Sequence, residues 1–261
     1  MNKFAYDFVC TLSNNMMTST FINRVSRRRL SRFFIAPYRA LFKIKDDGEQ
    51  YASLHDFFTR CLPFSQQQNL SNLDMTTDDI ISPVQGKIAF VGETKGQTQF
   101  LIKNQTYTLS ELLGQEVDIT NNYACVLFYL SPANYHRFHA PVTASFQYQK
   151  ALGKYSYPVN DMGLKYTEKL YAKNYRHVYR INEQSYFIAI GAMNINSITT
   201  HLTQVPTKQC IGEEIGFFSF GSSVLLLLDQ SEYKLSSTLT EGMLINVGDI
   251  IGGRAHWQSV K

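Results

Sequence analysis

The run from Gly212 to Leu228 constrains the fold more than any other part of the chain. It sets two apolar segments, Phe217 to Phe220 and Val224 to Leu228, on either side of Gly221-Ser222-Ser223. Short apolar runs bounded by glycine and serine read as buried strands. The pattern therefore predicts two strands meeting at a turn, with the Gly221–Ser222 peptide held rigidly between them. Glycine reaches backbone conformations that other residues resist, and strain at such a bond can enter chemistry. A Gly-Ser-Ser turn alone is ordinary. Its weight comes from a second feature upstream, the two-histidine run Tyr135-His136-Arg137-Phe138-His139-Ala140-Pro141.

At 261 residues the chain has room for one large domain, or one domain with a helical appendage. Its 16 Tyr and 18 Phe favour a β-rich core. A net charge of +4 suits an anionic surface without naming one. Cys10, Cys61, Cys125 and Cys210 are far apart with no C-x-x-C spacing, which suggests neither a zinc site nor a disulfide framework. They read as reduced, mostly packed thiols. The longest purely apolar run, Val224 to Leu228, is too short to span a bilayer, and the N-terminus has no signal-peptide pattern. Any membrane contact is expected to be peripheral, at the cytoplasmic face of the cell membrane.

Residues 1–45 read as a helical, membrane-associating region. Phe4, Phe8, Leu12 and Met16 recur every four residues. Phe21 to Phe34 then mixes Ile22, Val25, Leu30, Phe33 and Phe34 with Arg24, Arg27, Arg28, Arg29 and Arg32, and Pro37 should kink or end it. Such a helix can lie on an anionic membrane or pack on its own domain with the arginines in water; both readings stand. Nucleic acid is not an expected partner, because no reader motif backs the basic run.

Residues 46–261 read as a β-rich catalytic domain, with strands expected at Lys87 to Val91, Phe100 to Lys103, Ala124 to Leu130, Val142 to Tyr148, and a hairpin from Arg176 to Ile190. Ser82 to Ile88 and Glu241 to Gly252 both carry glycine turns between short apolar strands, like the halves of lipoyl- or biotinyl-type barrels. The fold class is thus α+β, mostly β: N-terminal helices followed by a core of barrel or sandwich-hybrid type.

His136 and His139 lie directly after an apolar strand and a Ser-Pro turn. Two imidazoles this close can serve two proton transfers near neutral pH, or form a metal or structural pair. Metal is disfavoured, because no Asp, Glu or Cys follows at ligand spacing. His55, His177, His201 and His256 show no pairing and read as surface or structural residues.

With these motifs in order, the chain resembles a phosphatidylserine decarboxylase proenzyme. The resemblance rests on Phe57-Phe58-Thr59-Arg60, on Ile102-Lys103 through Leu112-Leu113-Gly114, and on Tyr129-Leu130-Ser131-Pro132 leading into the histidine run. Tyr157-Pro158-Val159-Asn160, Asn174-Tyr175-Arg176, Gly191 to Ile198 and Gly221-Ser222-Ser223 follow in family order. It implies that Ser222 attacks the Gly221 carbonyl, that the chain splits at Gly221–Ser222, and that a covalent pyruvoyl group remains where Ser222 stood. That ketone would condense with the amine of phosphatidylserine and act as electron sink while carbon dioxide leaves, giving phosphatidylethanolamine. The resemblance makes His139 the base for Ser222 and links His136 to decarboxylation. Arg137 would meet the substrate's phosphate or carboxylate, or form an internal ion pair. The two fragments are expected to stay associated, and a homodimer is compatible with the family.

The sequence departs from the family at the triad aspartate. Ser82-Pro83-Val84-Gln85-Gly86 carries Gln85 in its place, and an amide cannot stabilise an imidazolium as a carboxylate does. Asn134 likewise stands where the family commonly has Asp. Gln85 is therefore expected to slow self-cleavage, and the competing reading is an uncleaved pseudoenzyme of the same fold that binds anionic phospholipid or a partner.

Overall fold

A computed structural model describes residues 3, 6, 10–11, 14–63, 66–67, 70, 78–94, 99–116, 121–194 and 197–255. Phe4, Phe8, Leu12, the side chain of Met16, most of the Ser65 to Asp79 connection and His256 lie outside them.

The N-terminal region is helical. Helix α1 (Met16–Ser26) begins where the Asn15 side chain accepts hydrogen bonds from the Met17 and Thr18 amides, which satisfies two of the free N–H groups of a helix start. A 3-10 helix (Arg29–Phe34) leads into α2 (Ile35–Phe42), which ends at Lys43 in the left-handed conformation. Pro37 sits in the first turn of α2, where its missing N–H costs nothing, so it lies inside a helix start rather than at a break. Helix α3 (Leu54–Phe58) is capped by Ser53 Oγ and tied to the 3-10 helix by a bond from Leu54 N to Ser31 Oγ.

The remainder is mostly strand. The large sheet holds β2 (Gly86–Glu93), β5 (Tyr123–Leu130), β7 (Ala144–Leu152), β8 (Arg176–Ile181), β9 (Ser185–Gly191), β11 (Thr207–Gln209), β13 (Ser222–Asp229) and β15 (Leu244–Ile245). Its order is β11-β7-β8-β9-β13-β5-β2-β15, antiparallel throughout. A second sheet holds β6 (Arg137–His139), β10 (Ile198–Thr200) and β12 (Glu214–Phe218) in the order β10-β12-β6. A third holds β1 (Asp79–Ile81), β14 (Tyr233–Leu235) and β16 (Ile250–Arg254), and β3 (Gln99–Ile102) pairs with β4 (Gln105–Thr108). The large sheet is open, with β11 and β15 as edges, so the barrel resemblance does not extend to closure. The two glycine-turn segments do meet: Ser82 N donates to Asp249 O, Gly248 N to Ser82 O, and Ile88 N to Met243 O.

The apolar run of β13 is buried on both faces. Val224, Leu226 and Leu228 join one core with Val126, Phe128, Phe187 and Phe138. Leu225 and Leu227 join another with Cys125, Leu127, Ile188 and Tyr186. A strand covered on both sides needs no polar alternation, which explains why the sequence there is continuously apolar.

The predicted meeting of two strands at Gly221–Ser222 is not a hairpin. β12 and β13 belong to different sheets, and residues 219–221 carry the chain from one to the other. Gly221 is also outside the left-handed region, and a Cβ there would touch only Ala192 and Met193, each at 3.9 Å. The expected backbone strain is absent at this glycine.

Candidate active site

Ser222 opens β13 at the centre of the large sheet, paired with Gly191 on one side and Leu130 on the other. It is completely buried, and its Oγ has no partner among the described residues. The Gly221 carbonyl oxygen accepts a hydrogen bond from Ala192 N at 2.8 Å. A backbone donor aimed at a carbonyl stabilises the negative charge that grows there under attack. On the upstream side, Ser219 N donates to Ser197 O at 2.7 Å and Phe218 N to His136 O at 2.8 Å.

The two histidines face opposite ways. Side chains alternate along extended chain, so residues three apart point to opposite sides. Phe138 enters the core that carries the even-numbered residues of β13, and His136, just ahead of β6, packs its ring on Phe58. The His136 ring is fully buried, with its centroid 3.9 Å from that of Phe58, whose ring in turn lies 6.1 Å from that of Phe220. Its Nδ1 donates to Asn134 O at 2.8 Å, which leaves Nε2 as the lone-pair nitrogen, and Nε2 is unpartnered. Desolvation, partly opposed by that bond, lowers its pKa from 6.5 to about 3. The ring is neutral at any ordinary pH.

His139 is buried as well, beside the cavity it shares with Tyr135 and Glu214. Its Nδ1 donates to Gly212 O at 2.8 Å, and Nε2 takes the Tyr135 hydroxyl at 3.0 Å. Burial lowers its pKa as well, against the raising effect of the Gly212 bond. Both ring nitrogens are thus occupied, and neither bonds Ser222 or Gln85. Gln85 is half-buried, with Oε1 accepting from Tyr135 N at 2.9 Å and Nε2 donating to Asn246 Oδ1 at 3.3 Å. Its link to His139 runs through Tyr135. Asn134 closes the preceding turn, its Oδ1 accepting from Ser131 N and Oγ.

Arg137 forms the internal ion pair. Its Nη1 lies 3.1 Å from both Glu214 carboxylate oxygens, and its Nε donates to Thr59 O. Arg60 braces the same turn through Ala133 O and Asn134 O. The Phe57-Phe58-Thr59-Arg60 motif therefore acts as a scaffold: Phe58 covers His136, Thr59 receives Arg137, and Arg60 holds the turn. A cleft of about 700 Å³ opens beside it, lined among others by Lys45, Tyr51, Arg60, Gln85, Tyr135 and Arg137. A smaller cavity of about 230 Å³ touches Tyr135, His139 and Glu214.

Sequence reasoning passed over several residues here. His55, read as surface or structural, is buried with Nε2 3.3 Å from Ser219 Oγ. Asn194 is completely buried with both amide atoms unpartnered, and Ser197 Oγ is likewise unpartnered. The one available signal was their place in the Gly191 to Ile198 block. Among the described residues no cluster of His, Cys, Asp and Glu could hold a metal, and all four cysteines are free thiols.

A family model described as phosphatidylserine decarboxylase matches residues 54–253, which spans every group placed above from α3 to β13. By class the chain is a carboxy-lyase. A phosphatidylserine decarboxylase proenzyme of Bacillus subtilis (strain 168) is 36% identical over 96% of this chain and 97% of its own length. One from Geobacillus sp. (strain WCH70) is 35% identical over 97% and 99%. The chain belongs to the phosphatidylserine decarboxylase family.

Proposed function

We propose that this chain decarboxylates phosphatidylserine to phosphatidylethanolamine after cutting itself at Gly221–Ser222. The observation that carries the reading is the buried, unpartnered Ser222 hydroxyl next to a Gly221 carbonyl held by the Ala192 N–H. Ser222 Oγ adds to the Gly221 carbonyl carbon, the amide bond breaks, and the hydroxyl proton ends on the released Ser222 nitrogen. Loss of the Ser222 α-proton then expels the Gly221 carboxylate, and water replaces the nitrogen as ammonia, leaving a pyruvoyl group on residue 222. The residues fit that group, because residue 222 is completely buried with an unpartnered side-chain oxygen, and the Ala192 N–H is held on the adjacent Gly221 carbonyl. When present, the pyruvoyl ketone supplies an electron sink for the substrate's breaking carbon–carboxylate bond.

In the assignment carried by the family resemblance, His139 accepts the Ser222 proton and His136 returns a proton to the substrate carbon. Gln85 acts through Tyr135, whose hydroxyl caps His139. An exchange of the two histidine roles has one observation in its favour: His136 keeps a free basic nitrogen, while both His139 nitrogens are engaged. The cleft bearing Lys45, Arg60 and Arg137 takes the anionic headgroup. Ile44 and Lys45 lead into it from α2, whose Leu41 is 74% exposed, so the helices lie on the membrane and deliver the lipid. No helix among the described residues is long and apolar enough to cross a bilayer, which fits peripheral attachment.

Intact-mass measurement of wild type and Ser222→Ala tests the reading. Wild type should give residues 1–221 and a pyruvoyl-headed 222–261. Ser222→Ala should fold, stay whole and release no carbon dioxide. A wild-type chain that remains whole indefinitely would instead support an uncleaved phospholipid-binding protein. Cleavage times for His136→Ala and His139→Ala decide which histidine serves Ser222.

A further inference from the structure

Gly191 and Ser222 are direct partners across β9 and β13. Opposed residues in an antiparallel pair send their side chains to the same face, with Cβ atoms about 4.5–5.5 Å apart. Gly191 has no Cβ, and one built there would come within 2.6 Å of Ser197 Oγ. The Ser197 hydroxyl therefore lies against the Gly191 position, on the face that Gly191 shares with Ser222. Both serines are completely buried, and neither hydroxyl has a partner among the described residues. Leaving a buried hydroxyl unbonded costs about 1–3 kcal/mol, and two such groups side by side are not explained by packing. Ser197 is also fixed to the cleavage segment through its carbonyl, which accepts from Ser219 N. Ala192 and Ser197 thus bracket the cleavage segment, with the Ala192 N–H on the Gly221 carbonyl and the Ser197 carbonyl on the Ser219 N–H.

We propose that Ser197 is a positioning residue for self-cleavage: its hydroxyl hydrogen-bonds Ser222 Oγ and holds it in the rotamer that faces the Gly221 carbonyl carbon. Serine side chains move between staggered wells, and the bond is made by a change of rotamer at one or both serines. The inference rests on the self-cleavage reading and deepens it. The bond formed is Ser222 Oγ to Gly221 carbon, the bond broken is the Gly221–Ser222 amide, and the proton passes from Oγ to the released nitrogen. Ser197 is unchanged at the end, so no further reactant is needed.

The test follows scission of full-length wild type, Ser197→Ala and Ser197→Thr after cell-free synthesis, by intact mass, with and without hydroxylamine, which cuts esters. Ser197→Ala should lengthen the half-time at least about tenfold, equivalent to 1.36 kcal/mol of barrier. Hydroxylamine should not rescue it, because ester formation itself is slowed, and Ser197→Thr, which keeps the hydroxyl, should recover most of the rate. Equal half-times for wild type and Ser197→Ala overturn the proposal, as does full rescue by hydroxylamine, which would place the defect after the ester. Where circular dichroism shows Ser197→Ala unfolded, Ser197→Cys is read instead; it keeps the side-chain shape with a far weaker hydrogen bond, and a wild-type half-time there overturns the proposal. A wild-type chain that stays whole overturns the self-cleavage reading and this inference together. A cut wild type with unaffected variants overturns the inference alone.

Discussion

In β13 all eight residues from Ser222 to Asp229 are buried, whereas between α1 and α2 the largest apolar side chains face outward. Met17, Phe21, Leu30, Phe33, Phe34 and Leu41 are exposed, while Ser19, Ser26 and Ser31 are buried. The strand hides apolar groups on two faces; the helices hide hydroxyls and present rings and leucine among Arg24, Arg27, Arg28, Arg29 and Arg32. Large apolar exposed patches commonly mark interaction surfaces, and these exposed side chains are the material for one. One region derives its stability from its apolar residues, and the other has them available for an external phase. The contrast teaches that similar hydrophobicity along a sequence serves two separate tasks.

The contrast can be broken from the membrane side first. Replacing Leu30, Phe33 and Phe34 together by Ser should weaken flotation with anionic vesicles by at least about a hundredfold, since burying each such side chain is worth about 1.5–3 kcal/mol and a tenfold change is about 1.4 kcal/mol. Thermal stability should move little, as for other exposed positions. Unchanged flotation would remove the membrane from the account. The reciprocal variant is Leu226→Ala in β13, which should cost about 2–5 kcal/mol in urea unfolding through the cavity it leaves, with vesicle binding intact. A loss below 1 kcal/mol would mean that β13 is not the packed centre described here.

A smaller effect separates the regions by pH. Burial holds His136 down at about 3 and His177 at about 4, from 6.5. The unfolded chain takes up these protons below about pH 6.5 and the folded chain does not, so stability is full above that pH and falls as the pH drops toward 4. The melting temperature should follow, with a shallower slope in His177→Gln, while an unaltered slope would show that the ring is not held neutral by burial. The smallest change is expected from Gln85→Asp. Direct loss of charge beside a triad imidazole costs about 10⁴-fold in serine proteases, but here residue 85 reaches His139 through Tyr135. Cleavage should quicken well short of that factor, and identical time courses would leave Gln85 without a part in the reaction.

Much of this was legible in the sequence. The apolar run of β13, the basic helical segment and the ordered motifs all carry local signals that survive in the fold. What was not legible is which strand lies beside which. The segments flanking Gly221–Ser222 read as two strands meeting at a turn because each is apolar and close to the other, yet their hydrogen bonds go to different sheets, and pairing partners are chosen by distant residues. The opposite facing of His136 and His139 was available from the two-residue period of extended chain, had residues 136–139 been read as a strand. Apart from the place of Asn194 and Ser197 in the Gly191 to Ile198 block, Ser197, Asn194 and His55 give no local signal: a serine, an asparagine and a histidine become noteworthy only when burial removes their water.

The position of Gly221–Ser222 between two sheets bears on how the protein would age. A cut there severs no ladder, because β12 keeps β6 and β10, and β13 keeps β5 and β9. Before the cut, a chain that unfolds can find its way back alone. Afterwards the central strand of the large sheet belongs to a separate peptide, and recovery requires a collision whose frequency depends on concentration. Maturation would then act as a ratchet: the folded enzyme keeps its contacts, but an unfolding event in a dilute setting becomes a one-way loss. Lifetime would be governed by the rate of opening, not by the equilibrium that governed the precursor.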